Sequence, residues 1–187
     1  MNSLRAFVAI PLAHEIIARI DTLQKDLKAI PADVKWVRPE SIHLTLKFLG
    51  SIDEAAVEPI SRAIQKAMRG LTPWSVALRT LGTFPSLRNP RVVWIGIKDE
   101  SGQIMTLQQQ IENELSSIGF PKETRPFSPH LTLGRVRSSR GKRELAANLI
   151  DQRELVVGEI GINRVILFKS DLRPSGAVYT ALGEYLL

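Results

Sequence analysis

No cysteine occurs anywhere in the 187 residues. That removes disulfides, thiol nucleophiles and zinc–thiolate sites from consideration, and it makes a reducing cytoplasm the expected location. Histidine is scarce, with three in the whole chain, and aromatic residues make up only 6%. No uninterrupted apolar run reaches the roughly 18 residues that a membrane-spanning helix needs. The opening residues 1–10 hold a short apolar run without a small-residue cleavage pattern, and they read as a first strand.

Against these absences stands a hydrophobic fraction of 44%, enough to build a core and to exclude disorder as the main state. Lys and Arg number 25 against 19 Asp and Glu, a net charge of +6. Such a balance attracts phosphate-rich partners but names none of them. Short apolar runs alternate with stretches of helical period, the pattern of a mixed α/β chain. The periodicity predicts helices over 13–30, 53–69, 101–118 and 141–150. It predicts strands over 5–11, 35–38, 42–49, 74–81, 91–98, 129–136, 155–157, 162–168 and 177–185. Residues 83–90, rich in turn formers, read as a loop. No low-complexity linker interrupts the chain, so 1–187 is expected to be a single domain of two similar halves.

Two segments carry the chemistry. His43-Leu44-Thr45-Leu46 recurs verbatim as His130-Leu131-Thr132-Leu133. A given histidine is followed by Leu-Thr-Leu by chance about once in a thousand, so this is an internal repeat. On a strand, residues i and i+2 share a face. His43 and Thr45 therefore point one way, with Leu44, Leu46 and Phe48 behind them, and His130 and Thr132 repeat the arrangement over Leu131 and Leu133. One imidazole can give a proton while another takes one, and two hydroxyls can hold the oxygens of a phosphate between them. In-line displacement at phosphorus wants an acid and a base on opposite sides. No carboxylate or third histidine stands at ligand spacing in either motif, and threonine is a poor zinc ligand, so no metal or other cofactor is expected. His14, outside any motif, reads as a surface residue.

These motifs resemble the paired His-x-Thr-x signature of the two-histidine (2H) phosphoesterases. Within them the chain is similar to bacterial RNA 2′,3′-cyclic phosphodiesterases, also described as 2′-5′ RNA ligases. The likeness includes the opening strand Arg5-Ala6-Phe7-Val8-Ala9-Ile10, the run Trp36-Val37-Arg38-Pro39-Glu40-Ser41 before the first motif, and Arg125-Pro126-Phe127-Ser128-Pro129 before the second. The resemblance implies a bilobal α/β (α+β) fold, two pseudo-twofold-related lobes whose antiparallel sheets flank a central cleft with helices outside. It implies hydrolysis of 2′,3′-cyclic phosphate ends of RNA, tRNA halves among them, to 2′-phosphates, and 2′-5′ joining in reverse. It assigns His43 as proton donor, His130 as proton acceptor, and Thr45 and Thr132 as phosphate holders.

Further residues are candidates for RNA contact. Lys47 shares the His43 face by parity. Arg135 has the opposite parity to His130 and reaches the site only past a twist or bulge. Arg88, Arg91, Arg125 and the basic run 135–143 could meet the backbone, and Trp36, Phe84 and Phe127 could stack a base. Two rival functions stand beside the leading one: hydrolysis of a small cyclic nucleotide or ADP-ribose cyclic phosphate, and a nucleotide-binding module without chemistry. Nothing in the sequence calls for an obligate partner surface, so a monomer is expected.

Overall fold

The helical stripes of the sequence become the core. In the computed structural model, which describes residues 3–174 and 176–187, Ile104, Leu107, Ile111 and Leu115 are all fully buried, as are Ile60 and Ile64. Each such side chain contributes about 1.5–3 kcal/mol by leaving water. The elements in chain order are β1 (Ser3–Ile10), α1 (His14–Lys28), β2 (Val34–Trp36), β3 (Leu44–Asp53), α2 (Val57–Ala67), β4 (Trp74–Ser86), β5 (Asn89–Lys98), α3 (Gln103–Ser116), β6 (His130–Val136), α4 (Lys142–Asp151), β7 (Val156–Ile162), β8 (Arg164–Arg173) and β9 (Gly176–Leu186). Among the described residues no helix is long and apolar enough to cross a membrane.

All strands pair antiparallel in one path, β7-β4-β5-β6-β3-β1-β8-β9, with β2 added to β6. The path has a natural seam. Between β3 and β6 the ladder is a single pair, Leu44 with Leu131, the second residues of the two repeated tetrapeptides. One lobe is thus β3, β1, β8 and β9, backed by α2 and α3; the other is β6, β5, β4 and β7 with β2, contacted by α1 and α4. These lobes are not the two halves of the sequence. Strand β4 leaves its own half to pair with β7, and β8 returns from the far end to pair with β1. Helix α1 follows β1 but packs against β7, and α3 follows β5 but packs against β3. Each lobe is built from both halves.

Two local expectations change. The segment 83–90 is a hairpin rather than a loop: β4 runs through to Ser86 and β5 begins at Asn89, leaving only Leu87 and Arg88 as the turn. The turn-forming residues marked the reversal correctly but occupy the strand ends. Helix α3 stops at Ser116, so Ile118, placed on its apolar stripe by periodicity, stands 41% exposed.

Candidate active site

His43 immediately precedes β3 and His130 opens β6. An antiparallel pair centred on Leu44 and Leu131 sets His43 across from Thr132 and Thr45 across from His130. The two leucines are fully buried, while both histidines and both threonines are half-buried on the face away from the helices. The repeated imidazole–hydroxyl pairs thereby meet at the seam of the sheet.

Both imidazoles are held in the same way. Nδ1 of His43 donates to the carbonyl of Ser41 at 2.9 Å, and Nδ1 of His130 donates to the carbonyl of Ser128 at 2.7 Å. A carbonyl only accepts, so Nδ1 carries the hydrogen and Nε2 is the nitrogen free to take or give a proton. Each ring also meets an aromatic edge: Tyr179 at 5.2 Å and 84° to His43, and Phe84 at 5.0 Å and 81° to His130. The surroundings then diverge. His43 stacks on Phe7 at 4.7 Å, with Phe168 and Phe48 completing the cluster around Phe7. Burial among these rings pushes the His43 pKa down to about 4, against a smaller upward pull from the Ser41 hydrogen bond.

The residues after each tetrapeptide are governed by a bulge. Val8 pairs with Lys47 and Ala9 with Thr45, so Leu46 is an extra residue in β3. Likewise Val93 pairs with Gly134 and Trp94 with Thr132, so Leu133 is extra in β6. A bulge shifts the alternation by one. Lys47 therefore leaves the histidine face. It is 3% exposed, with Nζ donating to Glu112 Oε2 at 2.7 Å and to the Pro121 carbonyl at 2.8 Å. Its place is structural, and the parity argument for RNA contact fails. Phe48, assigned by parity to the core, instead emerges beside Phe7 at 65% exposure. The same shift brings Arg135 onto the open face, where its guanidinium and that of Arg38 act as nearby positive charges on the Tyr179 hydroxyl, opposing the upward push of burial.

Other candidates sort plainly. Phe127 and Trp36 are half-buried and packed against the core. Phe84 lies in the site, against His130. Arg88, Arg91 and Arg125 are exposed, and His14 is an exposed residue at the start of α1. Sequence reasoning missed Phe7, Phe168 and Tyr179 around His43. Phe7 shares the alternation of Ala9, which pairs with Thr45 across a bulge, but Tyr179 comes from the last hairpin and left no local signal. Among the described residues no group of His, Asp and Glu is arranged to hold a metal ion.

Two imidazoles with free Nε2 atoms, two hydroxyls and a flanking guanidinium stand on one face, a set of groups suited to acid–base chemistry at a phosphate ester. Comparison with known proteins gives the family. The family model described as LigT like phosphoesterase matches the chain twice, over residues 10–94 and 95–179. The RNA 2′,3′-cyclic phosphodiesterase of Methanothermobacter thermautotrophicus is 34% identical over 183 residues, covering 98% of each chain, and that of Aquifex aeolicus is 31% identical over 190 residues, covering 100% and 99%. Among solved structures, TT0787 of Thermus thermophilus superposes with a TM-score of 0.80 at 27% identity over 98% of both chains. Escherichia coli LigT complexed with 3′-AMP superposes with a TM-score of 0.78 at 23% identity, covering 100% and 99%. The chain belongs to the LigT-like family of 2H phosphoesterases.

Proposed function

We propose that this protein hydrolyses the 2′,3′-cyclic phosphate end of RNA to a 2′-phosphate, with two imidazoles carrying the proton transfers. The observation that carries the reading is the convergence of two His–Thr pairs on one face, each histidine turned by a backbone carbonyl so that Nε2 is its reactive nitrogen. The relatives named RNA 2′,3′-cyclic phosphodiesterases support the substrate class. Thr45 and Thr132 donate to the non-bridging oxygens. One histidine takes a proton from water as the new P–O bond forms; the other gives its proton to O3′ as the P–O3′ bond breaks. Acid and base groups of this kind each contribute about 10²–10⁴-fold. With the 5′-hydroxyl of a second RNA end in place of water, the same displacement forms a P–O5′ bond as P–O3′ breaks and yields a 2′-5′ linkage.

The resemblance makes His43 the donor and His130 the acceptor. One observation favours the exchanged roles: a pKa near 4 makes His43 neutral at pH 7, ready to accept rather than donate. In the donor role His43 must be protonated as the anionic phosphate arrives.

The function is tested by incubating the protein with a nucleoside 2′,3′-cyclic phosphate and with a short RNA bearing the same end, in the presence of EDTA. Chelation-resistant turnover to the 2′-phosphate is expected. A 3′-phosphate product, turnover lost to EDTA, or tight binding without turnover would each overturn the reading. Cleavage of small cyclic phosphates with no turnover of RNA ends would assign the alternative substrate class.

A further inference from the structure

Beside His130 lies a cavity of about 470 Å³ that His130 itself lines. That volume falls in the range of about 300–1,000 Å³ in which small-molecule sites lie. It is formed at the end of β5, along the middle of β4 and by the residues that lead into β6. Trp94, Arg79, Thr80, Lys98 and Ser128 line it too, and Glu154 adds one carboxylate against the two cations.

The backbone is shaped around the indole. A Cβ on Gly82 would sit 2.3 Å from the Trp94 ring, and one on Gly96 would sit 3.3 Å from it and 3.0 Å from the Arg79 carbonyl. Glycine at 82 is what lets the ring lie down across β4 and β5, and glycine at 96 keeps the fit from being tight. Phe84 packs on the same ring at 5.2 Å while its edge meets His130, so the aromatic surface runs unbroken from cavity to histidine. Beside it, Thr80 adopts φ 66, a conformation rare for a β-branched residue, and interrupts the β4–β5 register between Arg79 and Leu81. Arg79 lines the cavity at that break, and Lys98 lines it from β5. Lys98 pairs with Glu100 at 2.8 Å, with side chains 56% and 82% exposed. An exposed pair of this kind is weak enough for a phosphate to replace it.

An aromatic face with cations at its edge is the recognition chemistry of a single-stranded nucleotide. We propose that this cavity is a second nucleotide subsite, taking the nucleotide that precedes the cyclic end of an RNA strand, its base against Trp94 and its phosphate towards Arg79 and Lys98. The proposal rests on the RNA-end reading above. It makes the protein a reader of at least two nucleotides rather than of the terminal ribose alone.

Two comparisons test it on the intact protein. The first sets kcat/KM for a nucleoside 2′,3′-cyclic phosphate against that for a dinucleotide with the same end. The second sets the affinity of a nucleoside 2′-phosphate against that of a dinucleotide ending in a 2′-phosphate, a measurement that needs no turnover. Both should favour the dinucleotide by about tenfold or more, the equivalent of one stacked base. Trp94→Leu should bring both ratios close to one, and Arg79→Gln, which removes the charge from a half-buried side chain while keeping much of its length, should lower them severalfold. Dinucleotide ratios near one in the wild type, or ratios preserved in Arg79→Gln, overturn the subsite. Absence of turnover with both substrates, alongside an intact affinity ratio, overturns the hydrolytic reading and leaves the subsite standing.

Discussion

The ring of Phe7 stacks on that of His43 at 4.7 Å, the two planes inclined by 25°, and Tyr179 meets the same imidazole edge-on. This apolar enclosure disfavours the imidazolium, which is why the pKa falls from 6.5 to about 4. The stability consequence has a definite sign. Between pH 4 and 6.5 the unfolded chain binds a proton at His43 that the folded chain does not, so stability increases as pH rises through that window and is flat, for this group, above it. The full span is about 3 kcal/mol. Denaturant midpoints measured from about pH 4 to 7 should therefore climb more steeply in the wild type than in His43→Ala. Parallel curves would show that the enclosure does not depress this histidine.

The assignment of acid and base is decided by a leaving group that needs no proton. His43→Ala and His130→Ala should each lower turnover of an ordinary cyclic phosphate by about 10²–10⁴-fold. With sulfur in place of O3′ the departing group is a stable thiolate. Whichever variant regains most of its rate on that analogue, relative to wild type on the same compound, has lost the proton donor. Rescue of His43→Ala confirms the donor role implied by the family, and rescue of His130→Ala exchanges the two. Calorimetric binding of the analogue to both variants accompanies the rates.

The hydroxyls can be removed without changing shape. Thr45→Val and Thr132→Val keep a β-branched side chain on the strand while deleting a donor to the phosphate. A hydrogen bond to a charged group is worth about 1.5–3 kcal/mol, so kcat/KM should fall by roughly one to two decades in each, with the melting temperature close to wild type. Unchanged kcat/KM in both would reduce these threonines to strand residues.

Lys47 makes the opposite case, a change expected to be felt in stability rather than chemistry. Its ammonium sits between Glu112 and the Pro121 carbonyl, and Glu112 also accepts from the Glu123 backbone amide at 3.2 Å. Lys47→Met leaves that carboxylate buried without its cation, which costs about 3–5 kcal/mol. Adding Glu112→Leu should restore much of the loss in a denaturant titration. A large drop in turnover by the folded Lys47→Met protein would return this lysine to the active site.

What could be read from the sequence follows from what is local. The stripes of α2 and α3, the turn after β4 and the repeated tetrapeptide each declare themselves within a few residues, and His43, Thr45, His130 and Thr132 do share a face. Strand exchange between the halves did not declare itself, because β8 carries nothing in its own residues to say that it pairs with β1. Alternation also misplaced residues once a bulge intervened. Counting by twos from His43 puts Lys47 in the site and Phe48 in the core, and the extra Leu46 reverses both. The parity of Arg135 came with the condition of a bulge, and Leu133 provides it. Tyr179 reaches His43 only through the pairing of β9 with β8 and of β8 with β1.

The two bulges have one more result. Because each falls at the fourth residue of the motif, the sixth position surfaces in both lobes: Phe48 beside Phe7 in one, Arg135 near Tyr179 in the other. Two identical tetrapeptides facing each other would meet a phosphodiester equally well from either direction. In the proposed reaction, an apolar wall on one side and a permanent cation on the other would remove that ambivalence and give the substrate a fixed heading. A duplicated motif thus acquires vectorial character from two residues that lie outside it.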